Sequence, residues 1–147
     1  MKNRCCVAIL VLLCVFLAGI APAGADDGDI QRVVTSVTTD DVNRAAMAIA
    51  FTRGIMQEKQ VEGILFFNVY GVNLVNAGKD SPVYGNGKTV AQMLREFMDA
   101  GGVVMACPMC MQHVGGMTSA DLIQGVSAVK GGGVKAVSGP RTLALSY

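Results

Sequence analysis

Cys107 and Cys110 stand three positions apart in the run VVMACPMC that ends at Cys110. A thiol becomes a nucleophile when it ionises, and one placed between a strand end and a helical turn faces oriented N–H groups that favour the thiolate. The spacing leaves three uses open: redox or sulfur-transfer chemistry, a static disulfide, or metal binding. Pro108 removes a backbone donor between the two thiols and stiffens the turn. His113, the single histidine, lies three residues beyond Cys110. On a helical turn it would face that thiol as its base or stabilising cation; the plain alternative is a partly exposed surface histidine.

Soft ligands crowd this stretch, with Met105, Met109, Met111 and Met117 interleaved among the cysteines and His113. Thiolate and thioether sulfur favour Cu(I), so Cys107, Cys110, Met109, Met111 and His113 form a candidate copper set. Methionine is also ordinary core filler. Strand alternation predicts a buried Met105, and Met117 reads equally well as packing. Structural zinc wants four ligands, which this segment supplies poorly. Hydrolase chemistry of the Ser-His-Asp kind has no G-x-S-x-G elbow and only His113 to lean on. The stretch GNGKT, ending at Thr89, imitates the end of a phosphate-binding loop, but Pro82 stands where the first glycine is needed, so it reads as a loop and helix cap.

Positioning these thiols calls for an α/β framework. Residues Ile30 to Thr39 are rich in β-branched types and read as a first strand, after which Thr39, Asp40 and Asp41 offer caps to a helix. In that helix Val42, Ala45, Ala46, Ile49 and Met56 share one face, with Arg44, Arg53 and Glu58 toward solvent. Ile64 to Tyr70 (ILFFNVY) is a continuous apolar run, as in a strand covered on both sides of a parallel sheet. Residues 77–88 read as a surface loop. A second amphipathic helix carries Val90, Met93, Leu94, Phe97 and Met98, and Gly101 and Gly102 end it. Val103 to Ala106 is a short buried strand running directly into Cys107, which sets the thiols beyond a strand's carboxyl end, where open α/β sheets gather ligands. Thr118 to Asp121 reads as a capping box opening a short helix through Leu122 and Ile123. Residues 126–140 include a further helical turn, and Thr142 to Ser146 closes the chain as a last strand.

The N-terminus carries Lys2 and Arg4, then an unbroken apolar run from Cys5 to Ala21 and the small-residue site Ala23-Gly24-Ala25. This order predicts a cleavable signal peptide over residues 1–25 and export, to the periplasm, of a single domain over residues 26–147. Cys5, Cys6 and Cys14 leave with the leader, so only the C-x-x-C pair enters an oxidising compartment. Losing Lys2 and Arg4 turns the formal charge of +1 slightly negative. The domain then has neither the basic excess that a nucleic-acid partner requires nor, once the leader is cleaved, a membrane anchor.

The segment VVMACPMCMQHVGGMTSADLIQGV, together with the opening strand and helix, the block ILFFNVYGVNLV and the closing strand, resembles the DsrE/DsrF-like family of small sulfur-relay proteins. The resemblance implies a flavodoxin-like three-layer α/β sandwich with a mainly parallel central sheet of about five strands. It also implies homo-oligomers, trimers or hexamers, and sulfur carried as a persulfide on a cysteine just after a central strand. That role falls on Cys107, with Cys110 matching a second cysteine found in part of the family; Gly115 and Asp121 also fit the pattern, as structural residues. The expected activity is a persulfide or thiol relay between sulfur donor and acceptor proteins, sulfurtransferase-like or thiol-redox if it turns over, needing no cofactor. Cys107 attacks or accepts the sulfur, Cys110 resolves it and His113 tunes the pair. The alternatives are a Cu(I)-binding module on the set named above and a non-catalytic structural oligomer.

Overall fold

The computed structural model describes residues 29–147, so the leader expected over residues 1–25 lies outside the described residues. Four strands form one wholly parallel sheet: β1 (Arg32–Val37), β2 (Glu62–Phe67), β3 (Val103–Ala106) and β4 (Thr142–Ser146), in the order β3-β2-β1-β4. Among the described residues the fifth strand is reduced to a single parallel bridge between Met105 and Ser127. Ala106 N–H donates to the Ser127 carbonyl at 2.8 Å and Ser127 N–H to the Val104 carbonyl at 3.0 Å. This short splint closes the free edge of β3, which would otherwise present unpaired backbone groups.

Helices α1 (Val42–Lys59) and α2 (Val90–Asp99) cover one face of the sheet, and the short α3 (Gly132–Val137) covers part of the other. Each long helix starts where its sequence supplies a cap. The Asp41 carboxylate accepts the Arg44 N–H at 2.9 Å, and Thr89 with Gln92 makes a reciprocal capping box, satisfying N–H groups that the first turn leaves unpaired. The main core lies under α1 and α2, where Leu65, Phe67, Leu94 and Phe97 are fully enclosed. Each such side chain contributes about 1.5–3 kcal/mol through burial. One polar contact crosses that core. Thr52 donates its hydroxyl proton to the Ala48 carbonyl at 2.6 Å, so at the buried Thr35–Thr52 contact, also 2.6 Å, Thr35 is the donor.

Several elements differ from the sequence expectation. The run Ile64 to Tyr70 does not stay extended: β2 stops at Phe67 and the chain enters a 3₁₀ segment, Val69–Val75. There Asn68 N–H and Tyr70 N–H donate to the carbonyls of Val37 and Thr38, folding the chain over the end of β1. A Cβ at Gly71 would collide with the Val37 carbonyl oxygen, so the turn needs glycine at that point. The Thr118–Asp121 box opens only one 3₁₀ turn, Ser119–Asp121. Leu122 is already extended and bridges Asn76, which ends the expected helix. Met105 is half-buried, because alternation in β3 sends Val104 and Ala106 to the thick core and turns Met105 to the thinner face, against Val34, Ile64 and Ala136.

Candidate functional site

The register of β2 on β3 ends at the pair Phe67–Ala106, and Cys107 is the next residue out. Its N–H still donates to the Phe67 carbonyl at 2.9 Å, so the last ladder bond fixes the cysteine backbone at the sheet's rim. Cys107 then serves as N-cap to the helical turn Pro108–Cys110, with Pro108 at the first position, where a missing N–H costs nothing. The Cys110 N–H points back at Cys107 Sγ, 3.5 Å away. Cys107 thus has a helical-turn N–H aimed at its sulfur and a side chain that is half-buried but reachable. Both cysteines are free thiols.

Cys110 sits differently. Burial pushes its pKa up, its hydrogen bond to Cys107 and the neighbouring Cys107 charge push the same way, and the Val69 backbone N–H opposes them by favouring the ionised sulfur. Val69 has a φ of 48°, a region that a β-branched residue occupies only under strain. The N–H groups on either side of it, those of Asn68 and Tyr70, are spent on the carbonyls of Val37 and Thr38, while the Val69 N–H faces Cys110. Val69 is the site residue that the sequence did not reveal. Valine is a strong strand former, and the only hints of a break nearby were Asn68 and Gly71.

Past Cys110 the chain widens into a π turn, Met111–Gly115, closed by Gly116 with a φ of 58°. A π turn fits more residues into each turn than an α-helix, so side chains three residues apart no longer stack on one face. Cys107 and Cys110 are thus brought together, while His113 lies exposed with no hydrogen bond to either thiol. Among the described residues, no three His, Cys, Asp or Glu side chains group closely enough to hold a metal. Of the softer candidate ligands, Met111 is only 2% exposed and belongs to the core with Met117, whereas Met109 is 67% exposed beside the thiols. The two buried methionines act as anchors for the loop, and Gly115 leaves the space that Met117 and Val72 fill. The thiols lie at an edge strand. The reversal of strand order falls between β1 and β4, so the site shares the carboxyl rim with the switch point without occupying it.

Fold and site together define a small parallel α/β protein that presents a C-x-x-C thiol pair on the carboxyl rim of its sheet. Residues 33–138 match the model of the DsrE/DsrF-like family, and the chain belongs to that family. Among solved structures it is similar to MTH1491 from Methanobacterium thermoautotrophicum, a protein of unknown function. The TM-score there is 0.65 and the identity 21%, covering 79% of this chain and 98% of the other. It is similar also to the ychN protein from E. coli, with a TM-score of 0.60 and 17% identity over 80% of this chain and 99% of the other. At these identities the likeness establishes the fold. No curated protein matches the chain.

Proposed function

We propose that the protein is a sulfur carrier in which Cys107 takes up sulfane sulfur and Cys110 resolves it. The Cys107 thiolate attacks the outer sulfur of a donor persulfide; the donor's S–S bond breaks, the donor leaves as a thiolate, and Cys107 holds the persulfide. An acceptor thiolate discharges it by the same exchange. In the absence of an acceptor, the Cys110 thiolate attacks Cys107 Sγ and expels hydrosulfide. That leaves a Cys107–Cys110 disulfide, which an external dithiol must reduce by two electrons. The observation that carries this reading is the asymmetry of the pair: Cys107 Sγ receives a backbone N–H from the turn it caps, while Cys110 is held toward its protonated form. Family membership supports it, since sulfur relay is the activity common in that family. The leader pattern in residues 1–25 supports placing the reaction in the periplasm.

Mass spectrometry after exposure to inorganic polysulfide tests the assignment. The parent protein should gain about 32 Da, one sulfur atom, on Cys107. Cys107→Ser should lose the adduct, and Cys110→Ser should retain it for longer because the resolving thiol is gone. An adduct that persists in Cys107→Ser, or none in the parent, would refute the proposal.

A further inference from the structure

The outward face of α1 does not look like a solvated surface. Met47 and Phe51 are 51% and 50% exposed there, beside Ala50 and Gly54, and a Cβ built on Gly54 meets open space. Arg44, Met47, Phe51, Gly54 and Glu58 follow one another at alternating intervals of three and four residues, the spacing that keeps a seam of side chains facing one helical partner. All five are exposed, while the opposite face of the helix, with Ala45, Ile49, Thr52 and Met56, is spent on the sheet. We propose that two copies of this chain pair through this seam, α1 antiparallel to α1 about a two-fold axis passing near Phe51.

The seam is complementary to itself in size and in charge. Reversing one helix about Phe51 sets Phe51 against Phe51 of the second copy and Met47 against the bare Gly54 of the second copy, a large side chain over a missing one. The shallow groove beside Gly54, about 300 Å³ and walled by Ala50, Gln57, Met93 and Glu96, gives that methionine room. The same reversal sets Arg44 opposite Glu58 of the second copy, and by symmetry the pair forms twice. Within one copy Arg44 has no ion-pair partner among the described residues, and Glu58 has only its exposed neighbour Lys59 at 4.0 Å. A parallel arrangement would stack Arg44 on Arg44 and Glu58 on Glu58, so charge selects the antiparallel one.

Sedimentation velocity of the purified protein at low salt decides the matter. The parent should run as a dimer or an even-numbered multiple of one. Arg44→Glu replaces two attractive contacts by two repulsive ones and should weaken association about tenfold or more. Arg44→Glu combined with Glu58→Arg should restore it, and far-ultraviolet circular dichroism should find all three proteins equally folded. A monomeric parent, as when the chain's own N-terminal residues cover the seam, overturns the proposal. So does equal association of the single and double variants, which would put the contact elsewhere.

Discussion

Cys110 owes its raised pKa to three causes with different remedies. Burial comes first, the hydrogen bond to Cys107 second, and the charge of Cys107 last, against the opposing N–H of Val69. Removing the Cys107 sulfur deletes the second and third and leaves burial and the Val69 dipole in place. Cys107→Ala should therefore bring the Cys110 pKa down toward the ordinary thiol range, with burial still holding it somewhat above. The rate of iodoacetamide alkylation at Cys110, followed against pH by peptide mass spectrometry, reads this directly. In the parent, the half-reaction pH of Cys110 should lie higher than in the variant; equal profiles would mean that burial alone sets it. The same comparison separates a coupled thiol pair from two cysteines that are merely close.

At the scale of elements, the Thr35–Thr52 contact ties α1 to β1 through a wholly apolar layer, and its value lies in being complete. Thr52→Val leaves the buried Thr35 hydroxyl without an acceptor and should cost about 1–3 kcal/mol. The Thr35→Val, Thr52→Val double variant keeps the shape, removes both polar groups and should be closer to the parent than the single change. Urea unfolding of the four proteins as a cycle measures the difference; additive losses would show that the two hydroxyls act separately. Neither residue stood out in the sequence, because Thr35 is an ordinary strand residue, Thr52 lies in a helix 17 positions on, and only the fold brings them together. The elements that were legible are those whose signal is local. Val103–Ala106 and Thr142–Ser146 have the expected bounds, and Thr89 caps α2 as a threonine followed by glutamine three residues on should. What escaped the sequence was set at a distance: the carbonyls of Val37 and Thr38 break the apolar run after Phe67, and the chain past Cys110 takes a π turn in which His113 is exposed. The sulfur pair itself was legible, since three residues and a proline suffice to specify its turn. The N–H that Val69 turns toward it was not.

Over the whole molecule, stability should be bounded on two sides by groups from different elements. Asp121 accepts the N–H and hydroxyl of Thr118 at 2.7 and 2.9 Å, which lowers its pKa. Glu96 is lowered first by its hydrogen bond to Lys88, whose charge adds to the effect together with that of Arg53, joining α2 to α1 and the loop before it. Because the fold favours the ionised form of both carboxylates, their contributions are present above the ordinary carboxylate pKa of about 4 and are lost as pH falls through the lowered values. Cys110 has the opposite sign: the fold favours its protonated form, so its contribution is present below the ordinary thiol pKa of about 8.5 and is lost as pH rises through the raised one. Melting temperature should thus hold steady through neutral pH and fall at both ends. Cys110→Ser should soften the alkaline fall without touching the acid one, and Glu96→Gln should do the reverse. At about 1 M salt, where the Debye length shrinks to roughly 3 Å, the effect of Glu96→Gln should fade while that of Asp121→Asn persists, since Asp121 depends on hydrogen bonds within its own turn and Glu96 on charges borne by two other segments. Parallel melting curves for Cys110→Ser and the parent above pH 9 would mean that the thiol pair titrates without sensing the fold around it.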